Sequence, residues 1–350
     1  MTVRIGVVGA GRMGLLHCRV LSEMPEAELA CVVDLSPEKA RAAAQTYKTE
    51  AVADVNTAVA GVDAAIIAVP TARHIDAARP FVAAGKCVLI EKPLAPTSAE
   101  AEELLTLAEK TGAGVQVGHT ERFNPAVEAI RRFEIVPKFI EADRISPFTF
   151  RSADVGVVLD LMIHDIDLVL MMVGSELARV DAVGVSVLGQ HEDIANARMT
   201  FANGCVANLT ASRLAVKSLR TMRIFSELAY LSVDYGRKNG IVVKKSANLD
   251  LIRMAREMDA KDLAGLAMSV DYTKLLKIEQ LIVEDSVEPL RKQAEAFVRC
   301  VRDGEKPVVS GREGLAAVRC AEAVVESIRQ HHWDTPDSGR AGPDVINEAP

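Results

Sequence analysis

The chain has 350 residues, of which 49% are apolar and 25% charged, and its formal net charge is −7. That is long enough for two domains with sizeable cores, and the composition is that of a globular enzyme. The acidic balance gives no electrostatic reason to expect nucleic acid or an anionic membrane as partner, and no apolar run reaches bilayer-spanning length.

The N-terminal stretch "MTVRIGVVGAG" enters structure at once and carries no signal-peptide pattern. The six cysteines (Cys18, Cys31, Cys87, Cys205, Cys300 and Cys320) are scattered, with no CxxC pair. Reduced thiols and a cytoplasmic location are therefore expected, with no zinc site and no disulfide frame.

The first half alternates strand and helix. "VRIGVVG" reads as a buried strand, "GRMGLLHCRVLSEM" as a helix and "ELACVVD" as a second strand. Ser36 and Pro37 then open a helix as N-cap and first helical residue. "VDAAIIAVP", which ends at Pro70, and "KCVLIEKP" are further apolar strands, separated by helices over about 73–84 and 97–111. "GAGVQVGHT" closes the series. Such alternation predicts a parallel sheet covered on both faces, a doubly wound α/β Rossmann domain over residues 1–122.

The grammar changes after that. "VVLDLMIHDIDLVLMM", from Val157 to Met172, is an apolar helix carrying Asp160, His164, Asp165 and Asp167. Strands follow in "RVDAVGVSVLG", "IANARMTFANGCVANLTASR", "TMRIFSELAYLSVDYG" and "GIVVKK". Asn203-Gly204 predicts a two-residue hairpin turn. Residues 246–285 give no assignable pattern, two amphipathic helices cover about 288–303 and 312–332, and 334–350 reads as a polar tail. Residues 123–333 thus form an α+β domain with a mostly antiparallel, open-faced sheet. Ala195, Ala197, Met199 and Phe201 alternate along one strand and predict a buried face, hence a homodimer or homotetramer through this sheet.

"GAGRMG" places Gly9, Gly11 and Gly14 in GxGxxG spacing directly between a strand and a helix, with Arg12 and Met13 in the turn. In that setting the backbone approaches a pyrophosphate and the helix N-terminus offers it free N–H groups. Asp34 ends the second strand, twenty residues past Gly14. Its carboxylate suits the adenosine ribose hydroxyls and opposes a 2′-phosphate, so NAD is expected in preference to NADP.

"IEKPL" puts Glu91 and Lys92 at a strand's carboxyl end, where open α/β sheets bind ligands. Lys92 there would face nicotinamide and substrate. Asp160 and His164, at i and i+4, share a helix face. They can meet a hydroxylated ligand, with Asp160 orienting His164 or binding a neighbouring hydroxyl. Asp165 and Asp167 are better read as partners of arginines, because buried charges are paired. No second His or Cys follows at ligand spacing, so no metal is expected.

The glycine turn with Asp34, the "EKP" and the D-x-x-x-H within "GVVLDLMIHDIDL" together resemble the Gfo/Idh/MocA family of NAD(P)-dependent sugar and cyclitol oxidoreductases. The resemblance covers nearly the whole chain. It implies that Lys92, Asp160 and His164 form the catalytic site, that the nicotinamide faces the second domain, and that copies pack through the open sheet. "RFNP" in "GHTERFNPA" resembles a segment of members that oxidise C3 of UDP-linked N-acetylhexosamines, which would bring Arg122 and Asn124 beside nicotinamide and substrate. Arg151, in "SPFTFRSADVG", is placed to meet a diphosphate. The expected activity is oxidation of a sugar ring hydroxyl, most specifically C3 of UDP-N-acetylglucosamine. The alternatives are an inositol or free aldose dehydrogenase, and a redox-silent NAD-binding sensor or scaffold.

Overall fold

The structure is a computed structural model that describes residues 2–133, 135–148, 155–188, 190–245 and 276–332. Arg151, residues 246–275 and the 334–350 tail lie outside the described residues. Two sheets organise the chain.

The first is built from β1 (Val3–Val8), α1 (Arg12–Ser22), β2 (Ala27–Val33), α2 (Pro37–Tyr47), β3 (Glu50–Val52), α3 (Val55–Gly61), β4 (Ala64–Ile67), α4 (His74–Ala83), β5 (Cys87–Glu91), α5 (Ser98–Thr111) and β6 (Val115–Gly118). The strand order is β3-β2-β1-β4-β5-β6, every neighbouring pair parallel. This is the doubly wound arrangement expected. Ile5, Ile66, Ile67, Leu89 and Ile90 are wholly buried, as strands covered on both faces require. Ser36 caps α2 by accepting from Lys39 N, with Pro37 next. The small elements β3 and α3 carry too few apolar residues to stand out in sequence.

The second sheet follows α6 (Pro125–Arg131) and runs through β7 (Phe139–Ile145), a π-helical turn (Val158–Met162) continuing into α7 (Ile163–Val173), then β8 (Leu177–Val185), β9 (Ile194–Phe201), β10 (Val206–Ser212), β11 (Leu219–Phe225), β12 (Ala229–Asp234), β13 (Asn239–Lys245) and β14 (Leu276–Gln280). Its order is β14-β13-β12-β11-β7-β10-β9-β8, and only β7 with β10 is parallel. Central strand β7 is new relative to the sequence expectation; Glu141, Asp143 and Arg144 disguise its alternation.

Two last helices complete the fold, α8 (Pro289–Asp303) and α9 (Gly311–Gln330). Both pack toward the first sheet: Leu290, Phe297 and Val298 of α8 share a core with Ile5 and Leu89. Leu315 and Val318 of α9 belong to a core that runs from Val117 through α7 to Ala197 and Phe201, so one apolar body joins the two sheets.

Two expectations need correction. The β9–β10 connection is a three-residue loop, with Phe201 N donating to Cys205 O and Gly204 at φ +83°. A left-handed glycine following a type I turn matches strand twist as well as a two-residue turn does. Asn203 accepts from Cys205 N and donates to Val173 O, tying the loop to α7. The second correction concerns Ala195, Ala197, Met199 and Phe201. They are buried, but under the chain's own helices rather than on an open face. The opposite face carries Asn196, Arg198, Thr210 and Asn208 in cross-strand hydrogen bonds.

Two buried ion pairs fix α7 in place. Asp165 receives Arg144 of β7 through Nε and Nη2, both at 2.8 Å. Asp167 receives Arg122 at 2.7 and 2.8 Å. Both aspartates are paired with arginines, as expected. Removing one partner strands a buried charge, whereas removing both leaves an apolar site. Asp165→Ala should therefore cost about 3–5 kcal/mol in urea unfolding. Asp165→Leu combined with Arg144→Met should recover only part of that loss, because Glu121, which accepts from Arg144 Nη1 at 2.9 Å, then loses its own partner.

Candidate active site

The glycine turn crosses from β1 to α1. Gly9 has φ +104°, and a Cβ there would lie 2.5 Å from Ala68 O. A Cβ on Gly14 would lie 1.7 Å from Gly9 O, so the third glycine lets helix and turn close on each other. At Gly11, by contrast, a Cβ would meet nothing within 4 Å. The helix N-terminus at Gly11 has no side-chain cap, leaving donors free for an anion. Arg12 is exposed there and Met13 half-buried. Asp34 accepts from Ala10 N at 2.7 Å and from Ser36 N at 2.8 Å, which holds the glycine turn against the end of β2. Leu35 beside it is 98% exposed, an apolar surface suited to a flat ring. Pro70 is exposed past β4. These residues fit a dinucleotide: a cradle no larger side chain could share, an uncapped helix end, and a carboxylate at the ribose position.

Glu91 and Lys92 stand at the end of β5. The Glu91 carboxylate is buried and lies 2.7 Å from His17 Nε2 of α1. Burial works to raise the Glu91 carboxyl, but the His17 bond and the charges of His17 and Lys92 hold it below the usual carboxylate range. Gly118 on β6 has no room for a side chain, because a Cβ would sit 3.0 Å from Glu91 Oε2. The ring of His74 lies 2.8 Å from Pro93 O and 3.0 Å from Val69 O, bracing the loops after β4 and β5 together.

Lys92 Nζ donates to Asp160 O at 2.6 Å and reaches Asp160 Oδ1 at 3.2 Å. An ammonium has three donors, so one remains for a substrate oxygen. Asp160 therefore meets Lys92, and among the described residues no hydrogen bond or ion pair joins it to His164. The backbone here makes a π-helical turn, in which Ile163 N reaches back to Val158 O, one residue further than in an α-helix. The start of that turn is held from the β8–β9 connection. Val157 N donates to Glu192 O and Val158 N to Glu192 Oε1, and a Cβ on Gly156 would lie 1.9 Å from that carboxylate.

His164 comes next on the helix. Its Nδ1 is buried without a hydrogen-bond partner. Burial, followed by the charges of Lys92 and Arg144, pushes it well below the ordinary histidine value. His119, just past β6, packs edge-on against it with ring centroids 6.4 Å apart. Both His119 nitrogens are buried and unpartnered, and Nδ1 is 4.0 Å from Asp167. Burial lowers it too, with Asp167 opposing in part. Orphaned nitrogens on two rings packed edge to face mark a place where a bound molecule supplies the missing partners.

The other expected site residues take supporting positions. Arg122 is buried with all three guanidinium nitrogens engaged, by Asp167 and, at 3.0 Å, by Glu313. Asn124 caps α6 through its carbonyl and donates to Glu121. His17, His119 and Glu192 were not singled out from sequence. His119 follows a strand's carboxyl end directly and was findable by that rule; nothing local marks Glu192.

The family model described as "Oxidoreductase family, NAD-binding Rossmann fold" matches residues 3–119, and the Gfo/Idh/MocA C-terminal domain matches 130–232. UDP-N-acetylglucosamine 3-dehydrogenase of Acidithiobacillus ferrooxidans is 39% identical over 234 residues, 67% of this chain and 74% of that one. The chain belongs to the Gfo/Idh/MocA oxidoreductase family. The solved structure of the same Acidithiobacillus enzyme superposes with a TM-score of 0.82 at 30% identity, covering 94% of this chain and 98% of that one. Inositol 2-dehydrogenase of Rhizobium meliloti is 26% identical over 347 residues, 94% of this chain and 98% of that one. Membership makes this protein an NAD-binding oxidoreductase of the dehydrogenase type acting on CH–OH groups. Among the described residues no helix is long and apolar enough to cross a membrane.

The buried histidines give a pH prediction. The unfolded chain binds protons at ordinary histidine values, near 6.5, while folded His119 and His164 resist protonation. Stability is thus fully present above that value and falls as pH drops toward the lowered folded values. Between pH 7 and 6 the two should remove at most roughly 1.4 kcal/mol together. Urea unfolding at the two pH values measures this, and His119→Phe should make the difference smaller, with His164 and the buried His74 keeping their own shares.

Proposed function

We propose that the protein is an NAD-dependent dehydrogenase that oxidises C3 of a nucleotide sugar such as UDP-N-acetylglucosamine. The observation that carries this reading is the likeness to the Acidithiobacillus UDP-N-acetylglucosamine 3-dehydrogenase; the contact of Lys92 with Asp160, and the charge of Lys92 acting on His164, support it. A full-length likeness to inositol 2-dehydrogenase favours a cyclitol as the second reading. A redox-silent sensor has no use for a proton-transfer group beside a strand-end lysine.

Bound NAD supplies the hydride acceptor. Gly9, Gly11 and Gly14, with Arg12 and Met13, would hold its pyrophosphate at the start of α1. Asp34 takes the adenosine ribose, which sets NAD above NADP. Pro70, Glu91 and Lys92 would border the nicotinamide end. As a hydroxyl loses its hydride it must also lose its proton, since a protonated ketone is far too acidic to persist at neutral pH. His164, kept neutral by burial and by Lys92, takes that proton. Lys92 directs its remaining donor at the same oxygen and stabilises the developing negative charge. Asp160 holds the ammonium in line. Arg122 and Asn124 act at one remove, Arg122 through Asp167, the neighbour of His119, and Asn124 through Glu121.

The enzyme is cytoplasmic in this reading, in keeping with six unpaired cysteines. It assembles as a homodimer or homotetramer through the outer sheet face, where Phe139, Phe225 and Tyr230 stack at 5.7 and 4.8 Å.

NADH production with UDP-N-acetylglucosamine, myo-inositol and glucose tests the substrate. UDP-N-acetylglucosamine should give the largest kcat/KM. His164→Ala and Lys92→Met should each lower kcat by about 10²–10⁴ while NAD binding holds. Full turnover in either variant removes that residue from the chemical step, and turnover of myo-inositol alone replaces the nucleotide-sugar reading by the cyclitol one.

A further inference from the structure

The arginines around the active site differ in one respect. Arg122, Arg144 and Arg213 are 5%, 3% and 4% exposed and each is locked onto a carboxylate, of Asp167, Asp165 and Asp193 respectively. Arg220, near the start of β11, is 49% exposed. Its nearest acid is Glu121, at 3.7 Å, beyond hydrogen-bond distance. Among the described residues its guanidinium makes no hydrogen bond.

Its position follows from register. β11 runs antiparallel to β7, with Arg220 opposite Arg144, Met222 opposite Ala142 and Ile224 opposite Ile140. Met222, Ile224, Ala142 and Ile140 are buried on the face covered by α7. Alternation puts Arg220 on that inner face as well, one step beyond the apolar core, beside the Arg144–Asp165 pair. Like charges directly opposite across two strands are unfavourable. Glu121 is already committed to Arg144 at 2.9 Å and to Asn124 at 3.0 Å, so it compensates Arg220 only partly. The positive charge of Arg220 is felt at His164, which places it within electrostatic reach of the proton-transfer group.

We propose that Arg220 binds the anionic part of the substrate, the diphosphate of a nucleotide sugar, at the mouth of the site, and so separates such substrates from neutral sugars and cyclitols. The proposal rests on the nucleotide-sugar reading above. A guanidinium fork matches phosphate oxygens in two parallel hydrogen bonds; Asp165 and Glu121 both bond Arg144, so what the Arg144–Arg220 juxtaposition lacks is an anion within hydrogen-bond distance of Arg220. A neutral polyol offers nothing to complete it. Arg151, expected from sequence to meet a diphosphate, lies outside the described residues.

The test uses the full chain loaded with NADH, calorimetric titration of UDP and of inorganic pyrophosphate, and steady-state kinetics with UDP-N-acetylglucosamine. Arg220→Gln should weaken UDP binding and raise KM about 10–100-fold, the range for a charge-assisted bond. It should leave kcat within a few-fold and the unfolding midpoint unchanged. Arg220→Lys should restore part of the binding, since charge without the fork is retained. Three results would overturn the proposal: unfractured UDP affinity in Arg220→Gln, equal losses in the Gln and Lys variants together with a lowered unfolding midpoint, or a wild-type protein that binds neither UDP nor pyrophosphate. A wild-type protein that binds UDP through Arg220 but does not oxidise UDP-N-acetylglucosamine supports the anion site and sinks the choice of substrate alone.

Discussion

The bond from Lys92 to Asp160 joins the end of the parallel sheet to the helix that lies on the antiparallel one. Neither sheet alone contains a reactive constellation. Lys92 is placed by β5, the strand whose end also carries Glu91, and Glu91 is fixed from behind by His17. Asp160 is placed by a π-helical turn whose entry is held by Glu192 from a distant connection. The geometry at Lys92 is therefore the meeting point of two separately built supports, and the continuous apolar core from Val117 to Phe201 keeps them in register.

The buried charges on the other side of α7 serve the same end. An ion pair taken out of water gains little net stability, but it is strongly directional and intolerant of a missing partner. Asp165 binds Arg144 of the second sheet, while Asp167 binds Arg122 just past the first. Two aspartates two residues apart thus set the rotation of α7 from two directions. That rotation decides where His164 points. His164 has no ion pair of its own, and burial, followed by the charges of Lys92 and Arg144, keeps it uncharged.

Much of this was legible in the residues. The glycine turn, Asp34 and the strand-end lysine are local signals, because a phosphate cradle and a ligand edge are made by consecutive residues. The apolar helix bearing Asp160, His164, Asp165 and Asp167 announced buried charge that needed a reason. What sequence could not supply was long-range: Glu192 meeting Val158, Arg144 meeting Asp165, and Arg220 facing Arg144 all depend on strand order in the second sheet. Helical spacing also gave no sign of the extra residue in the turn at Val158–Met162, nor of Lys92 as the partner of Asp160. The face carrying Ala195 and Phe201 was buried as read, but α7 and α9 cover it within the same chain.

A neutral His164 beside a lysine held by Asp160 is the centre of this account, and its protonation state can be observed directly. Nitrogen NMR of the histidine side chains, with His164 assigned by comparison with His164→Gln, follows that ring as pH is lowered. Burial and the neighbouring positive charges should keep it neutral at pH 6 and shift its titration well below 6.5. In Lys92→Met the titration should move upward as one of those charges is removed. A ring that titrates at or above 6.5 in the unmodified protein, or that ignores the loss of Lys92, would contradict the arrangement described.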